Sequence, residues 1–324
     1  MKASVYTNYG TPAVLKITDV EKPTPKNNEV LVAVKATTVN RTDCAKLRAK
    51  PFIMRFLTGL FNPKNPVLGT EFAGIIEKVG KDVLSFKAGD KVFGFDDNGL
   101  SSHAQYLALP ADKNILSIPG NITCKEAAAS SEGAHYAYNM IKKTNLKPGQ
   151  KVLVNGASGG IGSAAVQLLK YFGADVIAVC GSKNIELVRS LGAGRVIDYT
   201  ITDFTKEDHQ YDFIFDVVGK SSFGKCKPLL QKRSGVYISF ELGWMCENIF
   251  FAIFTPVFDR KKVIFPIPMD IKGSILLVKQ LMEQGKFKAV IDREYPLERI
   301  DEAFSYVETG QKTGNVIITM QDDN

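Results

Sequence analysis

Cysteine and histidine are scarce in this chain of 324 residues, with five of the first, at 44, 124, 180, 226 and 246, and three of the second, at 103, 135 and 209. The cysteine count is odd, the spacings are wide and no CxxC occurs, which argues against a disulfide framework and a structural zinc cluster. Reduced thiols in a cytoplasm fit best, and a cytoplasmic protein is expected. Long apolar runs are missing too. The greasiest stretch, Trp244 to Phe258, is interrupted by Glu247 and Asn248 and falls short of the roughly 20 residues a bilayer span needs. It reads as a buried or substrate-facing segment, and no membrane partner is expected. The opening residues, Met1 to Tyr6, lack the apolar core of a signal peptide and alternate as a strand does from Ala3. The chain carries 41 Lys and Arg against 34 Asp and Glu, a net charge of +7. That excess is spread thinly, and without a basic run or an aromatic-basic platform no nucleic-acid partner is expected.

What remains is an ordinary globular composition, 45% apolar and 23% charged, at a length that suits about two domains. Up to about residue 120, short β-branched runs such as Val30 to Val34 alternate with Gly, Pro, Asn and Asp clusters, the pattern of a compact β module. From Ile122 the period turns helical, with one Ala-rich helix over 125–143. Strand and helix then alternate, with strands at 151–154, 176–179, 195–197, 213–218 and 235–239, which predicts right-handed βαβ crossovers and a parallel sheet covered on both faces. Helices near 271–284 and 299–308 and a last strand over 315–319 close back on the β module. The expected domains are 1–121 with 270–324, and 122–269.

The strongest local signal is Val152-Leu153-Val154-Asn155-Gly156-Ala157-Ser158-Gly159-Gly160-Ile161-Gly162, a buried strand running into glycines and then an apolar helix. Glycines there let the backbone approach a pyrophosphate, while free amides at the helix start and the helix dipole favour the anion. A tight turn without ligand is the plainer alternative, but the turn opens a βα series, so Gly156, Ser158, Gly159, Gly160, Ile161 and Gly162 are candidate cofactor contacts. The next strand ends in Cys180-Gly181-Ser182-Lys183-Asn184 and lacks the acid that an NAD site wants about 20 residues on. Gly181, Ser182 and Lys183 offer space, a hydroxyl and a cation to a 2′-phosphate, so NADPH is the expected cofactor. The alternative for Lys183 is a solvated residue at a helix start.

These residues resemble the medium-chain dehydrogenase/reductase superfamily and, within it, the zinc-independent quinone oxidoreductase branch that includes ζ-crystallin and related enone reductases. The resemblance is carried along nearly the whole chain by Asn40-Arg41-Thr42-Asp43, by Pro66 to Gly74 with Gly89-Asp90-Lys91-Val92, by the glycine turn, and by Ser190 to Ala193 with Val196 to Tyr199. It implies a GroES-like β-barrel catalytic domain joined to a Rossmann doubly wound parallel-sheet domain, with the active site in the cleft between them. Zinc-dependent members carry a catalytic Cys and His where this chain has Asn40 and Thr70, and the third ligand position falls near Ser131. An amide and two hydroxyls do not replace a thiolate and an imidazole, so no metal is expected. Cys44 beside that block reads as a small buried residue.

Without a Lewis acid, the remaining chemistry is hydride delivery to an electrophilic carbon, the β-carbon of an α,β-unsaturated carbonyl or a quinone ring. The resemblance implies that Asn40 and Asp43 lie at the nicotinamide end and that Tyr199 borders the 2′-phosphate. Asp43 has a second role open to it, capping the helix that follows. His135 stands where the branch usually has Thr, open either to proton donation or to a structural bond. Asn315 stands where a Lys often closes the family's last Gly-Lys motif and is a further candidate cofactor contact. Two apolar stretches, from Phe52-Ile53-Met54 through Phe56-Leu57 to Leu60-Phe61, and Trp244 with Phe250, Phe251 and Phe254, are open as substrate walls, as core or, for the second, as a dimer interface. The strand-like Val263-Ile264-Phe265 after Asp259 to Lys262 points to a homodimer paired edge to edge. The expected function is NADPH-dependent reduction of a quinone or enone; the alternative is an NADPH-binding protein with little turnover, a sensor or an abundant binding protein.

Overall fold

The computed structural model describes residues 1–52 and 54–320, with Leu57 described by its backbone alone; Ile53 of the first apolar stretch and the last four residues of the expected first domain lie outside the described residues. The chain forms two compact units, Met1–Glu132 with the segment from Ile271 onward, and Gly133–Asp270.

The first unit is built on β strands. A small ribbon pairs β1 (Lys2–Val5) with β2 (Lys16–Asp19). The main sheet centres on β3 (Glu29–Val39), whose β-branched residues are buried along almost its whole length. This strand pairs antiparallel with β4 (Glu71–Val79) and β6 (Tyr106–Pro110), and β5 (Lys91–Phe95) and β7 (Ile115–Ser117) extend the sheet beyond β4. Two register slips between β3 and β4, at Leu31/Val32 and Val34/Ala36, bend the pair as a curled sheet requires. Between β3 and β4 run α1 (Arg41–Arg48) and the short α2 (Met54–Thr58).

The Ala-rich stretch expected as one helix is two, α3 (Cys124–Ala128) and α4 (Glu132–Lys142). Side chains compete with the helix ladder at the break: the Ser130 hydroxyl donates back to Ala127 O at 2.8 Å, and the Glu132 amide donates to the Glu71 carboxylate at 2.8 Å. Because α3 packs against β3, β4 and β5, the first unit runs on to Glu132 rather than stopping at 121.

The second unit is a parallel six-stranded sheet of β8 (Lys151–Asn155), β9 (Asp175–Cys180), β10 (Arg195–Asp198), β11 (Phe213–Asp216), β12 (Val236–Ser239) and β13 (Lys262–Ile264). Their order in space is β10-β9-β8-β11-β12-β13, every pair parallel. The direction of winding reverses between β8 and β11, and in such sheets ligands bind beyond the carboxyl ends of the strands at that switch. The helices are α5 (Gly160–Tyr171), α6 (Ile185–Ser190), α7 (Phe223–Cys226) and α8 (Glu247–Phe258). The stretch expected as buried or substrate-facing is thus largely α8, and it is exposed along one side, with Phe250, Ile253, Phe254, Val257 and Phe258 in solvent. The sheet edge covers only the side bearing Asn248, Phe251 and Thr255, while most of the apolar residues of α8 lie elsewhere on the helix.

The chain then returns to the first unit through α9 (Ile271–Glu283), β14 (Ile291–Pro296), α10 (Ile300–Glu308) and β15 (Asn315–Thr319). Strand β15 pairs antiparallel with β3, and Phe304 and Val307 of α10 join Leu47 of α1 in the same core.

Candidate active site

The glycine turn leaves the carboxyl end of β8, beside the switch, and its backbone is stitched to β9 by the amides of Gly156 and Ala157, which donate to Val179 O at 3.1 and 3.0 Å. Its glycines differ in what demands them. Gly156 has φ +87°, and a Cβ there would meet the Val218 side chain at 2.8 Å. At Gly162 a Cβ would lie 2.1 Å from Gly156 O. Both are needed by the fold itself. Gly159 is not: its φ of −78° suits any residue, and a Cβ would meet only Gly156 O at 3.6 Å. It is the N-cap of α5 and offers no side-chain cap, and the ladder of that twelve-residue helix begins with Ser163 N to Gly159 O at 2.8 Å. The amides of the first turn therefore face the space that Gly159 keeps open, an arrangement suited to a phosphate group.

The next strand ends at the same edge. Gly181 has the Tyr199 ring beside it, since a Cβ on the glycine would lie 3.3 Å from Tyr199 Oη. Ser182, Lys183 and Tyr199 are exposed and converge there because β10 runs parallel beside β9, Asp198 level with Cys180. The end of β9 itself carries no acid, but the neighbouring β10 brings Asp198 alongside it. The Ser182 hydroxyl donates to Asp198 Oδ2 at 2.5 Å and shares a 3.0 Å contact with Thr200 Oγ1. Those hydroxyls and the Thr200 amide hold Asp198 below the usual carboxylate range. Nothing along β9 itself signals this acid, which only the pairing of β10 with β9 brings to Ser182.

A second feature missed in the sequence sits at the end of β11. Asp216 is fully buried and accepts from Asn155 Nδ2 (3.0 Å), the Gly219 amide (3.0 Å), the amides of Val218 and Ser221 (both 3.3 Å) and Tyr237 Oη (2.8 Å). Burial, with Asp216 next, pushes the Tyr237 phenol far up, so it stays a donor. This network fixes the edge from β8 to β12 on which the turn stands.

In the first unit, Asn40 caps α1. Its Oδ1 accepts from Asp43 N at 2.8 Å, Asp43 Oδ2 accepts from Asn40 N at 3.2 Å, and Asn40 Nδ2 donates to Thr70 Oγ1 at 2.8 Å. Asp43 has the capping role: fully buried, it also accepts from Gly69 N at 3.1 Å and lies 3.8 Å from His103 Nε2. The side chains at the ligand positions bond one another, and the buried Ser131 hydroxyl offers no thiolate or imidazole. These donors do not fit a zinc ion. Among the described residues, no group of three or more His, Cys, Asp or Glu is placed to hold a metal. Burial raises the Cys44 thiol far above its usual pKa, in keeping with a packed residue.

Beside this block lie two buried acids that sequence reasoning passed over. Glu71 accepts from the Thr38 hydroxyl and from Glu132 N, and Glu132 accepts from Thr42 Oγ1 at 2.8 Å. Burial pushes Glu71 up to about 7, and burial together with the neighbouring Glu71 and Asp43 charges raises Glu132 well above its ordinary value. Burial also lowers Lys312, whose ammonium faces both carboxylates and counters part of the effect. No local motif could have shown residues 38, 71, 132 and 312 meeting in one place.

His135 of α4 is fully buried. Its Nδ1 lies 3.3 Å from Asn139 Nδ2, and that amide also donates to His135 O at 3.0 Å. Burial lowers its pKa to about 4, so the ring is neutral at physiological pH. Asn315 uses its amide to donate to Ala129 O and Val290 O, both at 3.0 Å, which ties β15 to the break after α3. The described residues of the first apolar stretch, Phe52, Phe56, Leu60 and Phe61, are exposed on the first unit rather than in its core.

Comparison with known proteins agrees with both folds. Residues 26–120 match the alcohol dehydrogenase GroES-like domain, and residues 191–318 match the zinc-binding dehydrogenase family. The chain is 31% identical to the chloroplastic quinone-oxidoreductase QR1 of Triphysaria versicolor, over 98% of each protein. It is 30% identical to the chloroplastic NADPH-dependent alkenal/one oxidoreductase of Arabidopsis thaliana, over 98% of this chain and 79% of the other. The solved quinone oxidoreductase of Coxiella burnetii superposes with a TM-score of 0.85 over 99% of each chain at 24% identity, a likeness of fold. The chain belongs to the quinone oxidoreductase branch of the medium-chain dehydrogenase/reductase superfamily.

Proposed function

We propose that this protein is a zinc-independent, NADPH-dependent reductase of quinones or of the C=C bond of α,β-unsaturated carbonyls. The observation that carries the reading is Gly159, a glycine its own fold does not require, held at the uncapped start of α5 beside the sheet switch. The names of the two relatives above, one a quinone oxidoreductase and one an NADPH-dependent alkenal/one oxidoreductase, supply the substrate class and the cofactor.

Gly156 to Gly162 would hold the pyrophosphate, and Gly181, Ser182, Lys183 and Tyr199 the adenosine ribose with its 2′-phosphate, Lys183 as the cation. The Asp198 carboxylate opposes that phosphate and holds the Ser182 hydroxyl; Lys183 offsets it, and a turn of the hydroxyl toward the phosphate completes the site. NADPH, when bound, supplies the hydride. One Asn40 amide hydrogen serves Thr70, and the other is left to donate to a substrate or carboxamide oxygen. Asp43 positions Asn40 through the capping box. The proton reaches the reduced product from water, since His135 is neutral across the physiological range and Asn40 has no acid to give. Asn315, its amide spent on two carbonyls, takes no part in this reading. Phe52, Phe56, Leu60 and Phe61 form the apolar substrate wall. A homodimer joined along β13, the outer strand of its sheet, and a reducing cytoplasm that suits five free cysteines complete the reading.

Reduced-nicotinamide absorbance, followed with a quinone or an enone after extended chelation, tests the proposal. NADPH should be consumed with either class of acceptor at a rate the chelator leaves unchanged. Binding without consumption would give the alternative of an NADPH-binding protein, and activity lost with stoichiometric zinc would sink metal independence.

A further inference from the structure

The reductase reading leaves the outward face of α8 unused. Its inward side is accounted for: Asn248 donates to Glu241 O at 2.8 Å, the Thr255 hydroxyl donates to Phe251 O and accepts from Val263 N, and the Phe251 ring sits 5.3 Å from that of Phe223. The outward side presents Ile249, Phe250, Ile253, Phe254, Val257 and Phe258 over about three turns, and Glu247 of the first turn is the one charged residue of the helix. The Phe250 and Phe254 rings lie 4.3 Å apart and the Phe254 and Phe258 rings 6.4 Å apart, a ladder along the helix. Just before it, Trp244 is 77% exposed. A contiguous apolar face of this kind marks an interaction site.

Charge says what it meets. The helix is followed by Asp259-Arg260-Lys261-Lys262, and the one acid of that run is paired with Lys227 at 2.5 Å. Lys261 donates to Lys227 O at 2.6 Å, and the charges of Lys227 and Lys232 are close enough, after burial, to hold its pKa down. Lys227, Lys232 and Lys261 thus gather at one end of the aromatic face, with Arg260 and Lys262 on either side of Lys261 in the chain. Polyanionic headgroups above an apolar layer complement both parts. A second copy would offer this collar only its own collar or the lone Glu247 at the other end of α8.

We propose that α8 is a docking helix for an anionic lipid surface, lying in the interface with Trp244, Phe254, Val257 and Phe258 below the headgroups and the basic collar upon them. No helix among the described residues is long and apolar enough to cross a membrane, so the helix lies on the bilayer. This departs from the expectation of no membrane partner, which considered spans alone.

Trp244 is the only tryptophan of the chain, so the full protein carries its own probe. Mixed with vesicles of phosphatidylcholine and phosphatidylserine, it should float with them, shift its emission to the blue and be quenched by brominated acyl chains; phosphatidylcholine alone should hold it weakly. Val257→Glu with Phe258→Glu should weaken partitioning by at least about tenfold. Lys232→Gln with Arg260→Gln, an exposed pair outside β13, should weaken it about thirtyfold and reduce its salt dependence. Absence of flotation with anionic vesicles, or flotation indifferent to the Lys232 and Arg260 pair, would overturn the proposal. So would a lipid-free, concentration-dependent blue shift accompanied by a doubled mass that the Val257 and Phe258 pair abolishes, which would assign the face to a second copy.

Discussion

The two units reach their candidate sites by different means. In the second, backbone makes the site: a strand end, four glycines and a helix start within eleven residues set the phosphate-binding geometry. In the first, side chains make it, and Asn40, Asp43, Thr70, Glu71, His103 and Glu132 meet from four separate stretches of chain. Backbone sites tolerate no Cβ where space is short. Side-chain sites instead answer to pH and to the loss of a partner.

Gly162→Val breaks the comparison most severely. A Cβ 2.1 Å from Gly156 O cannot be placed without moving the turn, so this variant should lose roughly 3–5 kcal/mol of stability, read as a large drop in the melting temperature, whether or not cofactor is present.

The first unit should show its character in pH. Glu71, raised to about 7, contributes stability that is whole below the ordinary carboxyl range and is lost as pH rises through 7. Glu132→Gln removes a repelling neighbour, so stability, read from thermal melts, should rise more at pH 8 than at pH 5, by roughly 1–3 kcal/mol at the higher value. His135, which belongs to the second unit, has the opposite sign. Lowered to about 4, it contributes stability present above its ordinary value of 6.5 and lost as pH falls through 4. His135→Gln should therefore flatten the acid limb of the same profile. A profile unmoved by both variants would remove the buried titrations from the account.

Cofactor discrimination returns to the second unit, this time through side chains. Lys183→Ala should weaken NADPH binding by roughly 1.5–3 kcal/mol and leave NADH nearly untouched, whereas Asp198→Asn should strengthen NADPH by a smaller amount. Equal losses for both cofactors in the Lys183 variant would show that it does not read the 2′-phosphate.

The same contrast explains what could be read from sequence. The parallel sheet and the glycine turn were legible because hydrophobic period and glycine spacing act over a few neighbouring residues. Asp198 was not, because it reaches Ser182 only through the pairing of β10 with β9. Glu71 and Glu132 were hidden for the same reason, and the pattern over 125–143 reads as one helix because the Glu71 carboxylate that starts α4 comes from sixty-one residues away. Alternation and composition read α8 as covered; they cannot count how much apolar surface the sheet has room to bury.

Titration of NADPH into Gly159→Val, with the melting temperature followed in parallel, is the most direct test. The only neighbour of a Cβ at this position is Gly156 O at 3.6 Å, so the protein itself has room for the side chain, while the pyrophosphate does not. The expected result is a melting temperature close to that of the unaltered protein together with loss of NADPH binding. NADPH affinity retained in the folded variant would contradict the account.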